Sequence, residues 1–313
     1  MILLLSTSDT DLLSARAAAA KGEGVEYRWA NPARLLDDDL PKLLDGADIA
    51  IVRLLGGRRA WEEGIDRVIA SGIPTVLVSG EQAPDAELTE HSTVPANVAT
   101  TAHAYLAEGG AGNLVQLHNF LSDTLLFTGL GFAEPERLPA WGHLERDWVA
   151  DAPDADAPTA PDAPVIGVIY YRAQHLAGNT AYVSALCGAI EERGAVAKPI
   201  YAASLRTAGD DLLAELGTCD ALITTVLAAG GNRPALAQAG GDDGTWDVAA
   251  LAELDVPIIQ GLALTSAREA WEDNDEGLTP LDVATQVAVP EIDGRLISVP
   301  FSFKEIDADD LIA

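Results

Sequence analysis

The chain contains 313 residues, 48% of them hydrophobic, and carries a formal net charge of −30. The length allows two ordinary domains, and the hydrophobic content excludes a disordered chain. So negative a charge repels nucleic acid and anionic membranes, and no apolar run approaches the roughly 18 residues of a membrane-spanning helix. The composition therefore predicts a globular protein with neither nucleic acid nor membrane as a partner.

The expected compartment is the cytoplasm. The first residues read as a β-strand, because they lack the basic segment and the small-residue cleavage site of a signal peptide. Cys187 and Cys219 are the only cysteines, and their spacing indicates neither a zinc site nor a disulfide framework. The acidic composition is typical of a halophilic source with a salt-rich cytosol, although a GC-rich genome can also give an acidic protein.

The first part of the chain alternates between short apolar segments and helical patterns. Strands are predicted at 1–6, 25–29, 48–54 and 74–79. Helices are predicted at 10–20, 59–71, 97–108 and 113–127. A strand spacing of about 24 residues fits βα units in a parallel sheet.

Residues 147–164 are acidic, proline-rich and of low complexity. Such a segment cannot bury an apolar face, and its prolines favour an extended chain. We expect a linker or exposed insertion between a domain at 1–146 and a second domain at 165–313.

The second domain repeats the alternation. Strands are predicted at 165–171, 195–201, 220–226 and 256–260, and helices at 180–193, 208–216 and 246–254. Another helix is expected to begin after a Thr279 cap and to end at Pro290, before a strand or irregular segment at 295–303 that Pro300 interrupts. The predicted fold class is α/β: two flavodoxin-like or Rossmann-like units of parallel sheet with flanking helices, joined by the acidic linker.

A polar turn is predicted directly after the strand at 165–171, and it holds a cation, an imidazole and an amide. The planar guanidinium of Arg172 can bind a carboxylate, and His175 can transfer a proton or bind a metal near neutral pH. Asn179 either contacts a ligand or caps the following helix. Strand ends of open α/β sheets commonly hold ligands, so this turn is the first candidate site.

A second candidate lies around the helix expected at 279–290. Asp282 and Gln286 share one face of that helix, and Glu291 follows it. A carboxylate held there can bind a metal ion or accept a proton. From spacing alone, a solvated surface acid is the simpler interpretation in a chain with 49 acids.

Two glycine-rich segments allow two interpretations each. Residues 54–59 can attract an anion at a helix start or form a tight turn with exposed arginines. Residues 229–244 can form a lid over a large ligand or a flexible loop. The sequence contains no P-loop, so the chain is not expected to bind ATP itself. No G-x-G-x-x-G follows the first strand, which argues against dinucleotide binding, and the lack of His-Glu-x-x-His argues against a zinc protease. No G-x-S-x-G elbow occurs either.

Several blocks in a fixed order carry a family resemblance, including Tyr-Tyr-Arg-Ala-Gln-His-Leu-Ala-Gly-Asn-Thr at 170–180. The others are 3–11, 53–57, 79–82, 290–295 and 299–306. Along nearly the whole chain apart from the linker, they resemble the N-terminal portion of the large subunit of aerobic-type cobaltochelatase, CobN, which is related to the H subunit of magnesium chelatase.

The resemblance implies a subunit that binds a tetrapyrrole, the corrin precursor hydrogenobyrinic acid a,c-diamide, and inserts Co²⁺ as a substrate. It implies two partners, an AAA+ ATPase subunit and its companion subunit, which use the ATP. Metal insertion must strip water from the ion and remove protons from ring nitrogens, which carboxylates and histidines can do. By this chemistry we assign Glu291 and His175 to catalysis and metal binding, and Arg172, Asn179 and Gln286 to substrate binding.

The resemblance also implies that the chain is a fragment, because family large subunits are several times longer. A complete active site is therefore not expected here. The alternatives are a tetrapyrrole- or metal-binding module without catalysis, an interaction module for the ATPase partners, and a magnesium chelatase H-like subunit.

Overall fold

The computed structural model describes residues 1–36, 38–145, 162–205, 208–226, 251, 253–275, 277–307 and 311–312. They form two compact units, the first mainly 1–138 and the second mainly 139–175 with 180–305. Most of the expected linker, the glycine-rich loop at 229–244 and most of the helix expected at 246–254 lie outside the described residues. The domain boundaries proposed from the sequence stay a prediction.

The first unit contains a parallel sheet of four strands in the order β2-β1-β3-β4. The strands are Ile2–Ser6 (β1), Tyr27–Ala30 (β2), Ile49–Leu54 (β3) and Thr75–Ser79 (β4). Every residue of β1, β3 and β4 is buried, which matches their nearly continuous apolar sequences and requires helices on both faces.

Those helices divide between the two faces. Leu12, Val98 and Leu117 on α1, α5 and α6 pack against one face, and Leu40, Ile65 and Leu88 on α2, α3 and α4 pack against the other. The helices are Asp9–Lys21 (α1), Asp39–Leu44 (α2), Glu62–Ala70 (α3), Ala86–His91 (α4), Ala96–Glu108 (α5) and Gly110–Leu126 (α6), with 3₁₀ turns at Pro32–Arg34 and Arg58–Ala60.

The second unit contains a six-stranded sheet in the order β10-β9-β8-β6-β7-β5. Its strands are Trp141–His143 (β5), Val165–Tyr171 (β6), Val196–Ala202 (β7), Ala221–Thr224 (β8), Ile258–Ala263 (β9) and Leu296–Ser302 (β10). β6 to β10 are parallel, whereas β5 pairs antiparallel with β7 at the edge. The parallel strands follow the flavodoxin-like order, so the chain reverses direction across the sheet between β6 and β8.

Helices cover the second sheet as follows. Val183 and Cys187 of α8 pack on β6 and β7, and Leu212 and Leu216 of α9 pack on the opposite face. The helices are Arg172–Ala177 (α7), Ala181–Glu191 (α8), Asp210–Leu216 (α9), a short helix Arg268–Glu272, and a helical segment at 280–292 whose middle, Val283–Ala288, is a π-helix.

The predicted fold class, two Rossmann-like α/β units, is confirmed. Most predicted strands and helices that fall on described residues match the observed ones within a few residues. No helix among the described residues is long and apolar enough to cross a bilayer.

Three local predictions were wrong. The expected turn at 172–175 is the helix α7, because no glycine or proline interrupts it before Gly178. The cap of α8 is Thr180, not Asn179, and it makes no side-chain hydrogen bond. Pro290 does not end its helix: it lies in the first turn after the π-helix, where its missing N–H is not needed.

The expected cap at Thr279 is confirmed, because its hydroxyl accepts a hydrogen bond from the Asp282 amide. Pro300 lies within β10, where the pairing with β9 shifts register on either side of it. The position is tolerated because β10 is an edge strand.

Candidate functional site

The point between β6 and β8 is where a sheet of this order places its ligand groups. Tyr182 at the start of α8 donates a hydrogen bond from its hydroxyl to Gln174 Oε1 at 2.7 Å, and this hydroxyl lies 3.3 Å from Thr225 Oγ1. Burial raises the pKa of Tyr182 to about 12, so the phenol stays protonated. Three polar side chains thus meet at the ends of the two strands that flank the reversal.

His175 lies one turn into α7 in an aromatic setting. Its Nδ1 is 2.9 Å from the Tyr170 hydroxyl, and its ring stacks on Tyr201 with a centroid distance of 4.0 Å and an interplanar angle of 17°. Burial, and then the charge of Arg172, lower the pKa of this imidazole. The neutral form, which can accept a proton or bind a metal, is therefore favoured near pH 7.

Arg172 begins α7 directly after β6 and is half-buried. Its Nε donates a hydrogen bond to the Pro139 carbonyl at 2.8 Å. This contact orients the guanidinium at the strand end, the position that the sequence predicted for an anion-binding group.

Gln286 belongs to a buried polar network in the second unit. Its Oε1 accepts a hydrogen bond from Gln260 Nε2 at 3.2 Å, and Gln260 Oε1 accepts one from Arg295 Nη1 at 2.7 Å. Arg295 also donates to the Val226 carbonyl at 2.7 Å and pairs with Asp293 at 3.0 Å, both side chains being fully buried. The network ties the π-helix to β9, the start of β10 and the end of β8.

Glu291 is exposed on the last turn of the helical segment, and its carboxylate has no hydrogen bond or ion pair to any described residue. Its backbone carbonyl accepts from the Gly294 amide at 3.0 Å, which fixes the turn. A single residue, Ile292, separates Glu291 from the buried Asp293. The carboxylate is thus presented from a turn that the network anchors.

The site residues predicted from the sequence are brought together only in part. Arg172 and His175 lie on one short helix, and Gln286 joins the buried network. No contact in the described part of the chain joins Glu291 to His175, and Asn179 is half-buried. The roles assigned to these five residues stay predictions.

No group of three or more His, Cys, Asp or Glu residues is arranged to hold a metal ion within the described ranges. The polar groups of the second unit can instead bind polar substituents of a ligand and accept a proton. A complete ligand set for an incoming ion is not formed by these residues.

The strand ends of the first unit are organised differently. Arg53 pairs with Asp11 at 2.6 Å, and its guanidinium also donates to the carbonyls of Leu106, Ser79 and Gly80. Asp11 accepts a further hydrogen bond from Ser6 at 2.6 Å. The guanidinium is surrounded by partners within the unit, so this cluster connects structural elements.

The glycine-rich segment after β3 forms a tight turn. Gly56 and Gly57 adopt φ of 84° and 71°, which favours glycine at both positions. Arg58 donates to Asp66 at 3.1 Å and contacts His91 at 2.8 Å. Its guanidinium is engaged by neighbouring side chains, which favours the structural interpretation.

A shallow groove of about 670 Å³ in the first unit is separate from these strand ends. It is lined by α2 and α3 and by the residues that lead into β3 and β4, among them Leu44, Ala47 and Ile73. The groove therefore lies toward the amino ends of the strands, away from where an α/β sheet places ligands.

Sequence reasoning missed five residues of these clusters: Tyr182, Thr225, Gln260, Asp293 and Arg295. Gln260 carried a usable signal, because it is a long polar side chain inside the apolar segment 256–262. A buried polar side chain requires partners, so this residue alone predicts a network.

Residues 103–312 match the family model described as CobN/Magnesium Chelatase. The catalytic subunit of cobaltochelatase from Mycobacterium tuberculosis is 60% identical, with a TM-score of 0.74, over 100% of this chain and 25% of that chain. The aerobic cobaltochelatase subunit CobN of Pseudomonas aeruginosa is 29% identical over 97% of this chain and 24% of its own length.

A third relative is named for a different metal, magnesium. The chloroplastic magnesium-chelatase subunit ChlH of Oryza sativa subsp. indica is 30% identical over 58% of this chain and 14% of its own length. The chain spans about a quarter of the cobaltochelatase relatives it matches. With a family model that covers most of its residues, the chain belongs to the CobN/magnesium chelatase family.

Proposed function

We propose that the chain is part of the large, tetrapyrrole-binding subunit of an ATP-dependent cobaltochelatase that inserts Co²⁺ into hydrogenobyrinic acid a,c-diamide. The observation that carries this proposal is the 60% identity, over the full chain, to the catalytic subunit of cobaltochelatase from M. tuberculosis. As a quarter of such a subunit, the chain acts within a complex and not as an isolated enzyme.

The chain is proposed to contribute side chains to substrate handling, most of them from the second unit. Arg172 binds a carboxylate or amide of the macrocycle, with Asn179 and Gln286 as further polar contacts. His175, kept neutral by burial, is suited to accept a proton from a ring nitrogen or to bind the ion. Glu291, exposed and without a described partner, is suited to replace water on the incoming Co²⁺.

ATP hydrolysis is assigned to partner subunits, an AAA+ ATPase and its companion. The absence of a P-loop motif from the sequence supports this division. The expected effect of the partners is to drive insertion on a macrocycle already bound to the large subunit.

A chimaeric subunit tests the proposal. The matching quarter of the M. tuberculosis subunit is replaced by this chain, and Co²⁺ insertion is measured with the partner subunits and ATP. Glu291→Gln is expected to abolish insertion while macrocycle binding persists, because the change removes the carboxylate charge and keeps the side chain's size. Glu192→Gln, at an exposed acid that ends α8, is the matched control and should leave insertion intact. Unchanged insertion in Glu291→Gln removes Glu291 from the mechanism.

A magnesium chelatase H-like function is the second candidate, and the similarity to the rice ChlH subunit favours it. The same chimaera distinguishes the two candidates when Co²⁺ with the corrin precursor is compared with Mg²⁺ and a porphyrin. A binding module without catalysis would bind macrocycle or Co²⁺ when each is titrated alone, yet support no insertion with either pair.

We also propose that the chain works in a salt-rich cytoplasm. The net charge of −30 supports this, because salt screens the repulsion between its acids. The free energy of unfolding should rise from low to molar KCl. Full stability at low salt would contradict this.

A further inference from the structure

The two faces of the second sheet are covered unequally. Side chains alternate along each strand, so Leu222 and Ile258 share the face on which α9 packs. Gln260 lies on that face and bonds to Gln286 of the helical segment at 280–292. The face is therefore covered from β6 across to β9.

The opposite face is covered by α8 over β6 and β7, where Val183 and Cys187 pack with Tyr170 and Tyr201. Farther across the sheet, the same face presents Ile223, Ile259, Gly261 and Leu296, which we call the open face. Phe301 lies at its edge, where its ring contacts Tyr182 of α8 with a centroid distance of 6.0 Å. Leu296 is 59% exposed, and Ile223, Ile259 and Phe301 are only partly buried.

The open face is continuous from β8 to β10. A Cβ on Gly261 would lie 2.8 Å from the Phe301 ring and 3.4 Å from the Ile223 side chain, so these residues are direct neighbours. Leu296 pairs in register with Ile259 and therefore points to the same side. Glycine at 261 leaves the space that the Phe301 ring occupies.

Chain topology explains why the described helices of this unit other than α7 and α8 lie on the opposite face. The crossovers from β7 through β8 and β9 to β10 run in one direction, and right-handed connections place their helices on one face. Only the crossover from β6 to β7 runs the other way, and it supplies α8.

A parallel sheet is normally buried on both faces. The distance from β8 to β10 is two strand spacings, about 10 Å, which matches the diameter of one helix with its side chains. The chain spans only a quarter of its cobaltochelatase relatives, so their remaining three quarters offer a source for that helix.

We propose that the open face docks one amphipathic helix contributed by the rest of the large subunit. The inference rests on the proposed function, because it takes the occupant from the same polypeptide family. The docked helix presents an apolar stripe to Ile223, Ile259, Leu296 and Phe301, and keeps its polar side toward solvent or the neighbouring domain.

The test is a binding measurement. The part of the M. tuberculosis catalytic subunit that this chain does not match is expressed separately and titrated into the chain by calorimetry, without Co²⁺, macrocycle or ATP. A one-to-one complex is expected. Leu296→Arg should weaken it by about tenfold or more, because a charge replaces a leucine that the complex buries.

Leu130→Arg is the matched control, since Leu130 is 53% exposed in the first unit and lies outside the open face. It should leave binding unchanged. Circular dichroism confirms that both variants fold. Hydrogen–deuterium exchange gives a second measurement, in which peptides of β10 gain protection on binding and peptides at 127–132 do not.

Three results would overturn the inference: no complex, a complex unaffected by Leu296→Arg, or self-association of the chain that Leu296→Arg abolishes. The last would mean that a second copy covers the face. Failure of the proposed function is a separate result. If the open face still docks its helix in a chimaera that inserts neither metal, the chelatase role is refuted and the docking surface is retained.

Discussion

Both units hold a buried arginine–aspartate pair close to the ends of parallel strands, but the pairs have different surroundings. In the first unit, Arg53 is surrounded by Asp11 and three carbonyls. In the second, Arg295 and Asp293 extend through Gln260 to the π-helix, next to a turn that presents the exposed Glu291. A buried ion pair therefore does not identify a functional site by itself, and the site proposed in the second unit rests on the accessible groups beside the pair.

The largest expected effect comes from Asp11→Ala in the first unit. The substitution leaves the Arg53 charge buried without its partner, which costs about 3–5 kcal/mol of unfolding free energy. Urea unfolding gives the magnitude, and hydrogen exchange shows whether the loss is confined to the first unit. Asp66→Ala, which removes an exposed partner of Arg58, is the control and should cost at most about 1 kcal/mol.

Asp293→Ala makes the same change in the second unit, and about 3–5 kcal/mol is again expected. Because the network also holds the turn that presents Glu291, we expect an additional effect on Co²⁺ insertion. In the chimaeric subunit under conditions where the variant remains folded, Co²⁺ insertion should fall for Asp293→Ala but not for Asp11→Ala. Equal insertion by the two variants would remove the functional difference between the pairs.

Two helix caps allow a smaller comparison. Thr279 accepts from the Asp282 amide, and Asp85 accepts from the Leu88 amide at the start of α4. Alanine at either position should cost about 1 kcal/mol, because one backbone N–H loses its acceptor. If the cap also positions the π-helix, only Thr279→Ala will increase hydrogen exchange at 283–292. Equal exchange there in both variants would argue against this coupling.

The smallest expected effect is the pH dependence of stability. Burial lowers the pKa of His103 and His118 in the first unit and of His175 in the second. The folded state then binds fewer protons than the unfolded state, so stability is full above about pH 6.5 and is lost as the pH falls below it. His175→Gln should reduce this slope in the second unit alone. An unchanged slope, measured by urea unfolding across the pH range, would contradict a neutral buried His175.

The sequence predicted most of the sheet but little of the network. Strands such as β1, β3 and β6 could be predicted from the sequence, because a short continuous apolar segment is typical of a parallel strand that is buried on both faces. Arg172 and His175 were proposed as site residues because the strand end before them was clear, and their roles stay predictions. Gln260 and Arg295 are 35 residues apart in the chain, and only tertiary packing brings them into contact.

The wrong predictions at α7 and at Pro290 have local causes. Arg172 begins a helix because the residues up to Ala177 form helices readily, although they directly follow a strand. Pro290 was expected to stop its helix because an α-helical register was assumed. The sequence gives no recognisable signal for a π-helix, whose wider turn changes which amide donors are needed.

That wider turn also restricts the length of the segment. Successive residues of an α-helix are rotated by about 100° about its axis, and those of the wider π-helix by less, so deleting a single residue between 283 and 288 would turn Pro290 and everything after it by a large part of that angle. Glu291 would face a different direction, and Asp293 and Arg295 would leave their buried positions. Insertions and deletions between Thr279 and Gly294 should therefore be far more damaging than substitutions at the exposed positions among them.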